Sequence, residues 1–246
     1  WHERRFFDST MRAGAPPDMY SARGQMWGFP VYDWTAMAGD GHGWWKARLA
    51  QAARFFHAFR IDHVLGFFRI WQVPATEANG LLGWFDPAEA CTRADLAEAG
   101  FDDAAVRWLS VPHVRGDELR AQLGADADRV AGRYLLRIGG EDLYNLRPEL
   151  DREDAIRSLG EPDGIREALY RWHADRALLA AGPDRFFPSW HHERSQAFLG
   201  LDDGRRQRLK GLFRERRAAS EEVWERRGRD LLAMVRDASD MLVCAE

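Results

Sequence analysis

Apolar residues recur at helical spacing in three stretches of the chain. Trp45, Leu49, Ala52, Ala53 and Phe56 predict a helix over residues 42–58, and Ile165, Leu169, Trp172, Leu178 and Leu179 a second over residues 163–181. The third, over residues 204–238, is strongly charged, with Leu209, Leu212, Phe213, Val223, Trp224, Leu231, Leu232 and Val235 at its apolar positions. A helix of that length is unusual, so one break is expected in it. Two apolar runs read as strands. Phe59-Arg60-Ile61-Asp62-His63-Val64 follows the first helix, and Met241-Leu242-Val243-Cys244-Ala245 leads into Glu246 as a buried parallel strand would. A helix followed by a buried strand is the unit of a β/α fold. Elsewhere the pattern is punctuated. Pro16, Pro17, Gly24, Gly28 and Pro30 make residues 13–34 an ordered loop, and Asp184 to Trp190 is an aromatic loop containing a proline. Pro87 and Pro112 interrupt residues 75–135, where short helices are expected at 94–99 and 116–123 in an insertion rather than a regular barrel unit.

Composition narrows the function classes. The 246 residues suffice for one large domain or two small ones, and 46% hydrophobic residues allow a sizeable core. A net charge of -4 with interspersed signs argues against a nucleic-acid surface. No run approaches the roughly 18–20 apolar residues of a membrane span. The chain begins at Trp1 without a visible signal peptide. Cys91 and Cys244 make no disulfide framework; Cys244, in its apolar run, reads as a buried thiol, which fits a cytoplasmic protein. Of the 11 tryptophans, any single one is better read as a packing residue, although several sit in loops where flat aromatic platforms for sugar rings occur.

The chemistry lies where strands end in acids. In a parallel α/β barrel, catalytic groups sit at the C-terminal ends of strands. Arg60 and Asp62, two apart on a strand, point to one side, and the cation keeps the carboxylate ionised, as a glycosidic nucleophile must be. Glu246 follows Val243-Cys244-Ala245, and apolar surroundings suit a carboxyl to general acid work. Taken singly, each has an ordinary reading: a structural ion pair for the first, an exposed strand-end glutamate for the second. Glu141-Asp142-Leu143 mimics the second motif but follows Gly139-Gly140 in a turn-like setting. His191-His192-Glu193 reads as surface polarity rather than a metal site, and Asp33 and Asp40 as turn or cap residues. No metal or cofactor is called for.

The full strings add more. Phe59-Arg60-Ile61-Asp62-His63-Val64-Leu65-Gly66-Phe67-Phe68-Arg69-Ile70-Trp71 resembles the nucleophile segment of glycoside hydrolase family 77, the 4-α-glucanotransferases known as amylomaltases or disproportionating enzymes. Gly14-Ala15-Pro16-Pro17-Asp18 with Gly24-Gln25-Met26-Trp27-Gly28-Phe29-Pro30 is similar to that family's substrate loop, and Cys244-Ala245-Glu246 to the start of its acid/base motif. The three occur in the family's order. The aromatic loop at Phe186, Phe187 and Trp190 looks most like the disproportionating-enzyme-2 branch, while residues 75–160 match loosely.

The resemblance implies an α/β fold, part of a (β/α)8 TIM barrel with a mostly helical insertion at about residues 75–160. It makes residues 1–246 a piece of one catalytic domain, cut at both ends, whose third carboxylate lies beyond Glu246. By itself such a piece is expected to be inactive. The implied activity is retaining transfer of α-1,4-linked glucosyl units among maltose, malto-oligosaccharides or glucans. Asp62 would be nucleophile, Glu246 acid/base, Arg60 the residue orienting Asp62, and Asp18, Gln25, Trp27 and His63 would contact sugar. A retaining α-glucan hydrolase and a glucan-binding piece without turnover are the alternatives. Oligomeric state stays open.

Overall fold

The computed structural model describes residues 3–245. The chain opens with β1 (Phe7–Ala15) and β2 (Gln25–Tyr32), then α1 (Trp34–Gly39), α2 (Gly43–Ala53) and β3 (Ala58–Ile61). A short 3-10 turn, Val64–Phe67, leads to β4 (Ile70–Pro74) and β5 (Trp84–Asp86). Next come α3 (Arg93–Glu98), α4 (Asp103–Ser110), β6 (His113–Arg115), α5 (Gly116–Leu123), α6 (Ala127–Tyr134), β7 (Leu135–Arg137), β8 (Leu143–Leu146) and α7 (Glu153–Arg157). The chain continues with α8 (Asp163–Ala174), β9 (Leu178–Ala180), β10 (Phe186–Pro188), α9 (Gln196–Leu199), α10 (Asp203–Asp237) and β11 (Leu242–Ala245).

This is a mixed α/β structure. Among the described residues one ladder is parallel, β3 with β11; the others are antiparallel, in sheets ordered β2-β1-β4-β5, β10-β9 and β6-β8-β7. No described helix is long and apolar enough to cross a membrane.

The hairpin β1–β2 replaces half of the loop expected over residues 13–34; residues 16–24 and Asp33 stay outside regular elements, and Trp34 begins α1. Pro30 and Gly28 argued against regular structure, yet β2 is the edge of its sheet, where a missing N–H and a bulge are tolerated. The strands meet closely at Gly14, where a Cβ would run into the main chain of Gln25. Gly24, at φ +66°, makes the return.

The third predicted helix forms without a break: α10 runs 35 residues from its Asp202 cap, about 50 Å of rod. It holds because it has no proline and because Leu209, Phe213, Ser220, Trp224, Gly228, Leu231 and Val235 keep one buried stripe. Gly228 lies against Phe68, and the pairs Arg217–Glu221 and Arg229–Glu225 add helical support on the wet face. The second predicted helix is shorter than its pattern: α8 stops at Ala174, and Leu178 and Leu179 lie in β9. The helices expected at 94–99 and 116–123 appear as α3 and α5, but β6, β7 and β8 between and after them gave no clear alternation.

Three large apolar clusters and two small ones, around Met11 and around Leu82, hold the described residues together. Met37, Leu49, Ile61, Phe67, Leu231 and Val235 join α1, α2 and β3 to the end of α10. Leu96, Leu109, Leu178, Phe186, Leu209 and Phe213 join α3, α4, β9 and β10 to its start. Val114, Leu119, Val130, Leu146, Leu169 and Trp172 form the third around α5, α6 and α8.

The third cluster is edged by a carboxylate clamp. Arg129 reaches Glu161 with two nitrogens at 2.8 and 2.9 Å, and the Tyr134 hydroxyl donates to it at 2.8 Å. These hydrogen bonds, Arg129's foremost, hold the Glu161 carboxyl down at about 2 against its ordinary 4.5. The folded state thus favours the charged form. Its stabilisation is complete above pH 4.5 and is lost as pH falls toward 2. Glu161→Gln is expected to lower the melting midpoint at neutral pH and to flatten the acid limb of the stability curve. A curve displaced uniformly at all pH values would contradict this.

Candidate active site

The parallel pair β3–β11 is in register, Cys244 opposite Arg60 and Ala245 opposite Ile61. Ile61 immediately precedes Asp62, and Ala245 immediately precedes Glu246, which lies outside the described residues. β11 was expected to be buried; instead Leu242 is 66% exposed and Cys244 is exposed. β3 covers one edge of β11, and no second strand pairs with it among the described residues. Cys91 is the buried thiol, its pKa pushed up to about 12 by burial.

β3 ends at Ile61, three residues earlier than its composition suggested. The chain breaks away because His63 takes a left-handed conformation, φ 51°, and starts the 3-10 turn. Asp62 therefore stands on the turn just past the strand end. Its side chain is 83% exposed, with Arg60 Nη2 3.4 Å from Oδ1. The pair faces one side, as its two-residue spacing required, but water screens it.

His63 packs edge-on against the Trp27 indole, ring centroids 5.1 Å apart and planes at 88°. Burial draws the imidazole pKa below its ordinary value, Asp62 pulls it back up, and Arg69 adds to the lowering. The shift favours the neutral form of the ring. Trp27 donates its indole N–H to Gln25 Oε1 at 3.0 Å and lies 5.8 Å from the Phe29 ring. The hairpin thus carries Gln25 and Trp27 to the turn holding Asp62 and His63. Asp18 is not drawn into this contact chain. Its carboxylate accepts from the main-chain N–H groups of Tyr20 (2.8 Å) and Ser21 (2.7 Å), shaping the exposed tip of its own loop.

Two further residues belong here. Phe29, 54% exposed, extends the aromatic surface of Trp27. Its ring meets Trp27 across Gly28, whose φ of 84° and the register shift between Met26 and Pro30 break the two-residue alternation of β2, so no linear pattern marks it. Gly66 leaves room for the histidine: a Cβ there would come 3.0 Å from His63 Cδ2 and 3.3 Å from Ile70 Cδ1. Only a three-dimensional contact exposes that role.

The decoys behave as ordinary residues. Glu141 sits in the β7–β8 turn, next to Asp142, which pairs with Arg120 at 2.6 Å. His192 donates its Nδ1–H to Ser189 O (2.9 Å), and Glu193 pairs with Lys210 at 2.9 Å. Asp33 caps α1 through Ala36 N–H, and Asp40 accepts from Gly43 N–H at the start of α2.

The sequence model of the family described as 4-alpha-glucanotransferase matches residues 1–246. The chain therefore belongs to the glycoside hydrolase family 77 4-alpha-glucanotransferases, the family its motifs resemble. It is 32% identical over 260 aligned residues to the 4-alpha-glucanotransferase DPE2 of Oryza sativa subsp. japonica, covering 100% of this chain and 27% of that protein. It is 45% identical over 89 residues to the 4-alpha-glucanotransferase of Chlamydia caviae, covering 36% of this chain and 17% of that protein. With the chloroplastic/amyloplastic enzyme of Solanum tuberosum the identity is 49% over 71 residues, 29% of this chain and 12% of that protein. The chain thus spans about a quarter of the rice protein and less of the others. Among solved structures, amylomaltase from Streptococcus agalactiae in complex with acarbose aligns with 86% of this chain and 53% of its own, at 17% identity and a TM-score of 0.33.

Proposed function

We propose that this chain carries the nucleophile and the acid/base of a retaining 4-α-glucanotransferase. The observation that supports this best is the parallel register Ala245–Ile61, which seats the ends of two separate family motifs on neighbouring strands. In this reading Asp62 attacks the anomeric carbon of an α-1,4-linked glucosyl unit and forms a covalent intermediate. Glu246 protonates the leaving oxygen and then takes the proton of the incoming 4-hydroxyl. Arg60 orients Asp62. Neutral His63 hydrogen-bonds the sugar at the cleavage point, and Gln25, Trp27 and Asp18 flank it, Trp27 by its ring face. Malto-oligosaccharides and glucans are the substrates. The unit β3–α10–β11 is part of a (β/α)8 barrel, with residues 75–160 inserted between its regular elements. A cytoplasmic setting suits two free cysteines.

Product analysis with maltose tests the reaction class. The intact protein is expected to release glucose and build longer oligomers; glucose alone would make it a hydrolase. Arg60→Ala should slow transfer by a few-fold, because an exposed pair is worth only about 0.2–1 kcal/mol. An unchanged rate would remove Arg60 from its role. Gly66→Ala should cost about tenfold in kcat/KM through displacement of His63, with the melting temperature little changed. Native kinetics in that variant would show that the histidine's placement is irrelevant.

A further inference from the structure

A concave site lies between elements that hold none of the residues of the candidate active site. It is a groove of about 530 Å3 between β4, β5, β10 and α10, and none of the residues lining it is a proposed catalytic or sugar-contacting residue. Its volume falls in the range of small-ligand sites, about 300–1,000 Å3. We propose that this groove is a separate binding site for a short α-glucan segment. The choice of glucan rests on the proposed function.

The walls are aromatic faces. Trp84 and Phe187, both lining the groove, stack face on face at 11° with centroids 5.3 Å apart, which leaves the half-buried Trp84 rather than the buried Phe187 as the accessible ring of the pair. Trp71 and Trp190 meet edge to face at 5.3 Å, and Trp190 stays 40% exposed although it is one of the largest side chains. The indole N–H of Trp71 is spent on Gly80 O and that of Trp224 on Pro87 O; both rings are buried and back the groove with apolar atoms, while Trp84 and Trp190 carry its accessible aromatic surface. A pyranose suits such a surface. Its axial C–H groups lie against the negative face of an aromatic ring, while its hydroxyls project from the rim of the sugar.

The mouth of the groove is polar but largely self-neutralised. Lys210 pairs with Glu193 at 2.9 Å, Arg216 with Asp95 at 2.6 Å and Arg217 with Glu221 at 2.9 Å. Paired charges offer little to an anion yet supply donors and acceptors to hydroxyl groups. Arg214, exposed at the same mouth, has no acidic partner among the described residues and can donate to a hydroxyl. An aromatic floor with a neutralised polar rim thus favours a neutral polyol over an anionic or wholly apolar ligand. A wholly apolar partner would leave that rim to be desolvated without exchange.

The test uses the intact protein with fluorotryptophan at all tryptophans, in the Asp62→Asn background to stop turnover. Fluorine NMR is followed during titration with maltoheptaose. Trp190→Phe and Trp27→Phe assign the two informative resonances. The Trp190 signal is expected to shift saturably, and the response should weaken at least tenfold in apparent affinity in both Trp84→Ala and the exposed variant Arg214→Ala. A Trp190 signal that stays still while Trp27 responds overturns the groove and leaves the proposed function standing. A Trp190 response with a silent Trp27 supports the groove and counts against the proposed cleft. Equal shifts with sodium phosphate, or a response unaltered in Arg214→Ala and Trp84→Ala, would also overturn the proposal.

Discussion

In the intact protein, Asp62→Asn is expected to lower the rate of glucosyl transfer by several orders of magnitude, up to the roughly 10^6-fold scale reached when a covalent nucleophile is removed. Asparagine keeps the shape of aspartate and lacks the negative charge that attacks the anomeric carbon. Folding should be untouched, since the side chain is 83% exposed and its ion pair with Arg60 is solvent-screened. Glucan affinity should also persist, because Gln25, Trp27 and His63 hold each other independently of Asp62. Initial rates with maltotriose, alongside calorimetric binding of maltoheptaose, check both halves. A variant within tenfold of native turnover would end Asp62's candidacy as nucleophile.

The largest effect on stability is expected from Trp172→Ala. Trp172 is 1% exposed, at the centre of the cluster that joins α5, α6 and α8, and its indole N–H donates to Glu118 Oε1 at 3.0 Å. Removing a buried indole of this kind costs about 3–5 kcal/mol through lost burial and the cavity left behind. Glu118 keeps one donor, Gln122 Nε2 at 2.9 Å, so the polar loss is the smaller part. Against a typical total of about 5–15 kcal/mol, this cluster would open far more often. Hydrogen exchange followed by mass spectrometry should show protection falling together in α5, α6 and α8. A loss below about 1 kcal/mol would mean that the site collapses around the smaller residue.

How far the site could be read from the chain depends on what each signal measures. Arg60 and Asp62 were placed on one side by their spacing, and they are. Trp27 and His63 were each marked, but nothing linear shows that an indole from β2 meets an imidazole 36 positions later; that is a matter of how the hairpin folds over the turn. The hairpin itself was missed because Gly28 and Pro30 are read as breakers, and only the sheet order reveals an edge strand that tolerates them. The expected break in α10 was a judgement from length, overruled by an apolar stripe that serves two clusters at once. Burial of β11 was inferred from its apolar letters, yet burial belongs to neighbours, and β11 has one strand beside it.

The sequence by itself determined the family motifs, their order, the periodic helices and the carboxylate candidates, because those depend on residue identity and local spacing. Only the tertiary structure decided the in-register pairing of β3 with β11, the contact of Trp27 with His63, the room left by Gly66 and the aromatic groove along α10. Apart from the Gly66 clearance, which the local 3-10 turn sets between His63 and Ile70, each of these joins residues far apart in the chain, and such contacts are fixed by the packing of whole elements rather than by any local pattern.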